Sequence, residues 1–127
     1  MAESAGGPSI HHVALRVTDL ERSEAFYRAV FGLPLVERRH DTSGDLRAVW
    51  LGAGSSVVML ERNLVVDDIQ GTGHVMVFEV ADLSAFERHL ETLGHSVVAR
   101  TASSVYVRDP DGHTLGASRY RFGVTGR

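Results

Sequence analysis

The chain is predicted to be an α+β protein built from two tandem βαβββ modules, whose mixed sheets curl around a central cavity. Three observations predict this. The segment His12-Val-Ala-Leu-Arg-Val-Thr-Asp-Leu20 recurs, with the same spacing of apolar and acidic residues, as Val75-Met-Val-Phe-Glu-Val-Ala-Asp-Leu83. Each copy alternates like a half-buried strand, reaches an Asp, and then changes to helical periodicity. After each helical stretch come three short strand-like runs separated by turn-forming residues. At 127 residues the repeat must be two halves of one domain rather than two domains.

The elements follow in order. Residues 1 to 8 read as a loose tail, and strand one runs from about Pro8 to Val17. Val13, Leu15 and Val17 lie on one face, with His12, Ala14 and Arg16 on the other. Thr18 or Asp19 caps a helix of about three turns whose stripe is Phe26, Tyr27, Val30 and Phe31, and Gly32 ends it. Strands are expected near Leu33 to His40, Leu46 to Leu51 and Val57 to Arg62, with hairpins at Asp41–Asp45 and Gly52–Ser56. Module one therefore spans about 9–62, and a polar linker covers 63–73. Module two, about 74–119, repeats the order with strand His74 to Val80 and Asp82 as cap. Its helix carries the stripe Leu83, Phe86, Leu90 and Leu93 and stops at Gly94. Strands near His95 to Arg100, Ser104 to Val107 and His113 to Arg119 follow, the last two joined by the turn Asp109-Pro-Asp-Gly112. One helix covers one face of a four-stranded sheet, so the other face needs a partner or a ligand.

Composition narrows the chemistry. A net charge of -3 with 23% charged residues offers no basic stripe for nucleic acid. No apolar run approaches a membrane span and no signal peptide is recognisable, so a cytoplasmic location is expected. Cysteine and lysine are both absent, and all 13 basic residues are Arg. Thiolate chemistry, disulfides and Schiff bases are thereby excluded, leaving His, carboxylate, hydroxyl and Arg.

The opening His-Val-Ala-Leu-Arg-Val-Thr-Asp-Leu, the following Phe-Tyr-Arg-Ala-Val-Phe-Gly-Leu and the late Val-Arg-Asp-Pro-Asp-Gly-His resemble the vicinal oxygen chelate superfamily over about residues 9 to 119. That superfamily includes glyoxalases, extradiol dioxygenases, fosfomycin-resistance transferases, epimerases and bleomycin-resistance binding proteins. The resemblance implies paired βαβββ modules, a homodimer, and a cavity for a small-molecule ligand. Its enzymes hold one divalent ion with His and Glu ligands on the cavity face. The first His falls on His12, but its counterpart in the second half falls on Val75, with His74 one residue out of step and so turned to the other face. The closing Glu position falls on Gly116, and the corresponding position of the first half falls near Met59, a poor ligand for hard ions.

The leading expectation is therefore a protein that binds a small organic molecule without a metal. The ligand-contacting candidates are His12, Arg16, Trp50, Met59, Glu61, Glu79 and Tyr106, with His12 as hydrogen-bonding group or base. The alternative is a metal-dependent lyase, isomerase or dioxygenase in which His12, His74 and Glu61 hold one Zn, Fe, Mn or Ni ion. Arg16 and Glu79, equivalent in the two halves, either pair with each other or read a charged ligand. His40, His89 and His95 are expected in solvent, His11 in a structural role, and His113 in a local hydrogen bond.

Overall fold

The computed structural model describes residues 10–63 and 75–120. The expected tail, the linker from 64 onward and His74 lie outside the described residues. Module one comprises β1 (His12–Arg16), α1 (Leu20–Phe31), β2 (Leu35–His40), β3 (Leu46–Ala53) and β4 (Ser56–Glu61). Module two comprises β5 (Val75–Glu79), α2 (Leu83–Leu93), β6 (Ala99–Arg100), β7 (Ser104–Arg108) and β8 (Thr114–Ser118). The strand orders are β1-β4-β3-β2 and β5-β8-β7-β6, so the two sheets have one topology. β1 pairs parallel with β4, and β5 with β8; the remaining pairings are antiparallel. The fold is α+β with two βαβββ modules, as anticipated, and neither sheet is closed.

Both helices start where a carboxylate meets the orphan N–H groups of the first turn. Asp19 accepts from the Arg22 N–H and Asp82 from the Ala85 N–H, and Gly32 and Gly94 end the helices in the left-handed conformation. Helix α1 packs on β3 and β4, and α2 on β7 and β8. Their apolar faces and the covered faces of the sheets form one core, which includes Tyr27, Val30, Leu51, Leu60, Leu90, Val107 and Leu115. Each fully buried Leu there contributes on the order of 2 kcal/mol of apolar burial. The helices also touch each other, and Phe31 meets Phe78 and Phe86 with ring centroids 4.5 and 5.6 Å apart. The helix-covered sides of the modules are thus fused, which leaves the opposite face of each sheet without a covering helix.

Some element limits differ from expectation. Among the described residues β1 begins at His12, with Ile10 and His11 before the strand and Pro8 outside the described residues, although the His11 carbonyl still accepts from the Val57 N–H. β6 holds only two residues, because the residues before Val98 are still leaving α2, with the His95 N–H bonded back to the Leu90 carbonyl. Leu93, expected in the α2 stripe, is 38% exposed in the last turn, and among the α2 residues Leu90 is the one that is fully buried.

The modules are locked by the Asp109–Gly112 turn. The buried Asp109 carboxylate accepts from the Asp111 and His113 N–H groups within its own turn, at 2.9 and 2.8 Å. Its other oxygen accepts from the Tyr27 hydroxyl of α1 at 2.7 Å. Burial first, then the Asp109 charge and hydrogen bond and the Asp111 charge, push the Tyr27 phenol far above its ordinary range, so it acts as a neutral donor. Asp111 accepts from the Thr18 N–H and hydroxyl at 3.1 and 2.8 Å and from the Ser23 hydroxyl at 3.3 Å.

Three histidines add to this seam: His89 stays on the exposed helix surface as expected, whereas the half-buried His95 and the cross-module bond of His113 depart from the solvated and local roles expected of them. His113 Nε2 donates to the Arg16 carbonyl at 2.9 Å, and His89 Nε2 to the Ala29 carbonyl at 2.7 Å. The His95 ring meets the Phe26 ring edge-on at 5.1 Å. All three partners belong to the other module, at separations that periodicity does not encode.

Among the described residues Glu24 is the other buried charge. It accepts from Arg38 at 2.5 Å and from Arg28 at 2.9 Å, tying β2 to α1. Burial works to raise its carboxyl, but the hydrogen bonds and charges of Arg38 and Arg28 outweigh it and hold the pKa below the ordinary 4.5. A depressed folded pKa contributes stability that is full above the unfolded value and is lost as pH falls through the folded one. Glu24→Gln is therefore expected to cost about 1–2 kcal/mol at pH 7, discounted because both guanidinium groups are nearly half exposed. The gap from wild type should narrow below pH 4.5; urea titrations at pH 7 and pH 3.5 check it, and a gap that widened in acid would contradict the assignment.

Candidate functional site

The open face of the first sheet is ordered by strand register. His12 lies opposite Val57, Ala14 opposite Met59, and Arg16 opposite Glu61. Across the next pair Met59 faces Trp50 and Glu61 faces Ala48, while Glu37 lies beside Trp50 and Arg39 beside Ala48. His12, Arg16, Trp50, Met59 and Glu61 therefore share one face, as alternation predicted. Trp50 Nε1 donates to Glu61 Oε2 at 3.1 Å. The Arg39 guanidinium sits 5.0 Å from the Trp50 ring centre, over its face, and donates to Glu37 at 2.7 Å. Trp50 is thus held between a cation and a carboxylate, and it is half-buried. His12, exposed at the strand start, has its Nδ1 2.9 Å from that of His11, so one of the two rings donates to the other. His11 is exposed as well, and its contact is with a neighbour rather than with the core.

On the second sheet Val75 pairs with Thr114, Val77 with Gly116, and Glu79 with Ser118. β7 continues these rows with Arg108, Tyr106 and Ser104. Here Glu79 and Tyr106 share the open face, on a different sheet from Arg16. A groove of about 610 Å³ opens there, lined by Val77, Phe78, Glu79, Thr101, Ser103, Ser104, Tyr106, Ser118 and Tyr120. Its base includes a hydroxyl pair, Ser104 Oγ donating to Ser118 Oγ at 2.7 Å.

Gly116 decides what this groove can be. A Cβ built there would stand 2.7 and 2.8 Å from two ring carbons of Tyr106 and 3.2 Å from Val77 Cγ2. Those are shorter than non-bonded carbons tolerate, so the phenol ring lies where any side chain of residue 116 would begin. The position where the family resemblance implies a carboxylate ligand is filled by an aromatic ring.

The remaining donors suit a divalent ion poorly. Val75 and Met59 occupy the other two equivalent positions on the open faces. His12 and Glu61 lie four residues apart along a parallel pair, rows separated by roughly 13 Å, and Glu61 is already bonded to Trp50. Among the described residues no group of three or more His, Asp or Glu side chains is placed to share an ion, whereas catalytic sites take about three protein ligands.

Sequence reasoning singled out Gly116 and Tyr106 separately. It missed that one fills the space of the other, and it missed Thr101, Ser103, Ser104 and Ser118. Alternation of Ser104 with Tyr106 was available as a signal, but only the β7–β8 register sets Tyr106 opposite Gly116.

Comparison with known proteins bears on this geometry. The family profile described as Glyoxalase/Bleomycin resistance protein/Dioxygenase superfamily matches residues 9–116. The chain is 30% identical over 115 residues to a metallothiol transferase FosB of Lysinibacillus sphaericus, covering 83% of this chain and 77% of that protein. It is also 30% identical over 118 residues to the lactoylglutathione lyase of Neisseria meningitidis, covering 82% of this chain and 85% of the relative. Among solved structures, the lactoylglutathione lyase of Agrobacterium tumefaciens superposes with a TM-score of 0.68 at 25% identity, over 88% of this chain and 93% of the other.

Proposed function

The chain belongs to the Glyoxalase/Bleomycin resistance protein/Dioxygenase superfamily, and we propose that within it this protein binds a small organic molecule on its open sheet faces without a resident metal ion. The observation that carries this reading is the Tyr106 ring packed over Gly116. A ligand-bearing carboxylate is replaced there by an aromatic surface, and a groove of about 610 Å³ is within the range that holds small molecules. Trp50, fixed by Glu61 and Arg39, supplies a second aromatic surface on the first sheet, with His12, Arg16 and Met59 around it. Val36, Val75 and Val77, half exposed on these faces, fit a homodimer that shelters the ligand, and a cytoplasmic setting belongs to the same reading.

The reading is tested by extracting small molecules that remain with untagged protein and identifying them by mass spectrometry. An organic molecule near one per chain is expected, reduced about tenfold by Tyr106→Ala through loss of aromatic contact area. Retention unchanged by Tyr106→Ala would sink it.

A second reading is a metal-dependent lyase, isomerase or dioxygenase that uses His12, His74 and Glu61. It is favoured by the exposed place of His12 on the open face and by 30% identity to a metallothiol transferase and a lactoylglutathione lyase. It requires Glu61 to leave Trp50, and Trp50→Phe is the variant that would release it.

A further inference from the structure

The module-two groove carries a charge preference, and we propose that it selects an organic cation, an ammonium or amidinium group attached to a planar or aliphatic body. This rests on the groove being a ligand site and adds the class of ligand.

The groove's polar groups divide into those already used and those that are not. Ser104 Oγ donates to Ser118 Oγ, and Ser118 Oγ donates in turn to the Ser103 carbonyl at 3.3 Å and accepts from the Tyr120 N–H at 3.1 Å. Thr101 Oγ1 accepts from the Ser103 N–H at 3.3 Å. The Glu79 carboxylate and the Tyr106 hydroxyl, by contrast, make no hydrogen bond or ion pair among the described residues. Glu79 stands in the register row of Ser118 and Ser104, next to the row of Val77, Gly116 and Tyr106.

Charge follows from the same positions. Among the described residues that line the groove, Glu79 is the one acidic side chain, and none is Arg or His. The cations of this module are placed elsewhere. Arg100 donates to Glu87 and Arg119 to the Ala102 carbonyl, while Arg108 lies two rows from Glu79 on the same face. An anionic ligand would meet an uncompensated carboxylate. A cation would donate a charge-assisted hydrogen bond to Glu79 and meet the electron-rich face of Tyr106, while its body covered Val77.

Three probes of one shape separate these cases: benzamidine, benzamide and benzoate, titrated at millimolar concentration into the 15N-labelled full chain and followed by NMR. Benzamidine is expected to shift the amides of Val77, Glu79, Ser104 and Ser118 and to bind about tenfold more tightly than the other two. Glu79→Gln should erase that preference and Glu79→Asp keep most of it, with Tm unchanged because residue 79 is exposed. Benzamide or benzoate binding in the groove as tightly as benzamidine overturns the charge preference and leaves the groove reading standing; an Arg brought by a second copy would produce that result. A preference that survives Glu79→Gln also overturns it. No shift of groove amides by any of the three overturns both.

Discussion

Replacing Asp109 by Ala is expected to destabilise the protein by about 3 kcal/mol. The reason is position rather than charge alone. Asp109 is 5% exposed and completes two structures at once, the Asp-Pro-Asp-Gly turn through the Asp111 and His113 N–H groups and the module seam through Tyr27. Its removal leaves the fully buried Tyr27 hydroxyl with no acceptor and frees a turn whose last residue, Gly112, has φ +87°. Tyr27→Phe, which deletes only the donor and leaves the carboxylate with its two N–H partners, is expected to cost about 1–1.5 kcal/mol. The pair should be non-additive by about 1 kcal/mol, because each single change breaks the same bond. Urea unfolding of the four proteins checks this; an Asp109→Ala loss no larger than that of Tyr27→Phe would show that the turn does not depend on its carboxylate.

Gly116→Ala is expected to be destabilising by about 1–2 kcal/mol although the residue lies mid-strand. Two effects oppose each other. Ala in place of Gly gains about 0.5–1 kcal/mol by restricting the unfolded chain. The added methyl group meets Tyr106 ring carbons at 2.7 and 2.8 Å, and relieving such an overlap costs typically 1–3 kcal/mol. The ring is half-buried on the open face, so it yields by swinging outward, and overlap wins by a modest margin. In a Tyr106→Ala background the same substitution should become neutral or stabilising. That reversal, a coupling above about 1 kcal/mol, is what distinguishes a ring seated on Gly116 from a strand that merely tolerates Gly poorly. Additive losses would mean that Tyr106 does not occupy the space of a residue-116 side chain.

The architecture was legible in the sequence because its signals are local. The Asp19 and Asp82 caps, the Gly32 and Gly94 stops and the period-two alternation of β1 and β5 are each read within a dozen residues, and the repeat states them twice. Face assignment by alternation also held: His12, Arg16, Met59, Glu61 and Trp50 share one sheet face. What alternation does not encode is the register between strands and the packing between modules. Trp50 bonding to Glu61 and Tyr106 covering Gly116 depend on which residues stand opposite across a ladder. Tyr27 reaching Asp109, and His113 reaching Arg16, join positions 82 and 97 residues apart. His113 looked local because it adjoins a turn, yet a ring at the tip of a turn that inserts between modules finds its partner across the seam.

The absence of a carboxylate at Gly116 was visible in the sequence; the ring that takes its place was not. On the proposed reading, the Tyr106 ring over Gly116 takes metal binding from the face and leaves an organic-ligand groove. Metal content, measured on untagged protein after equilibration with Zn, Mn, Fe and Ni and removal of free ions, tests it most directly. Well under one ion of any of these metals per chain is expected, unchanged by His12→Ala. About one ion per chain, lost on His12→Ala, would contradict the claim.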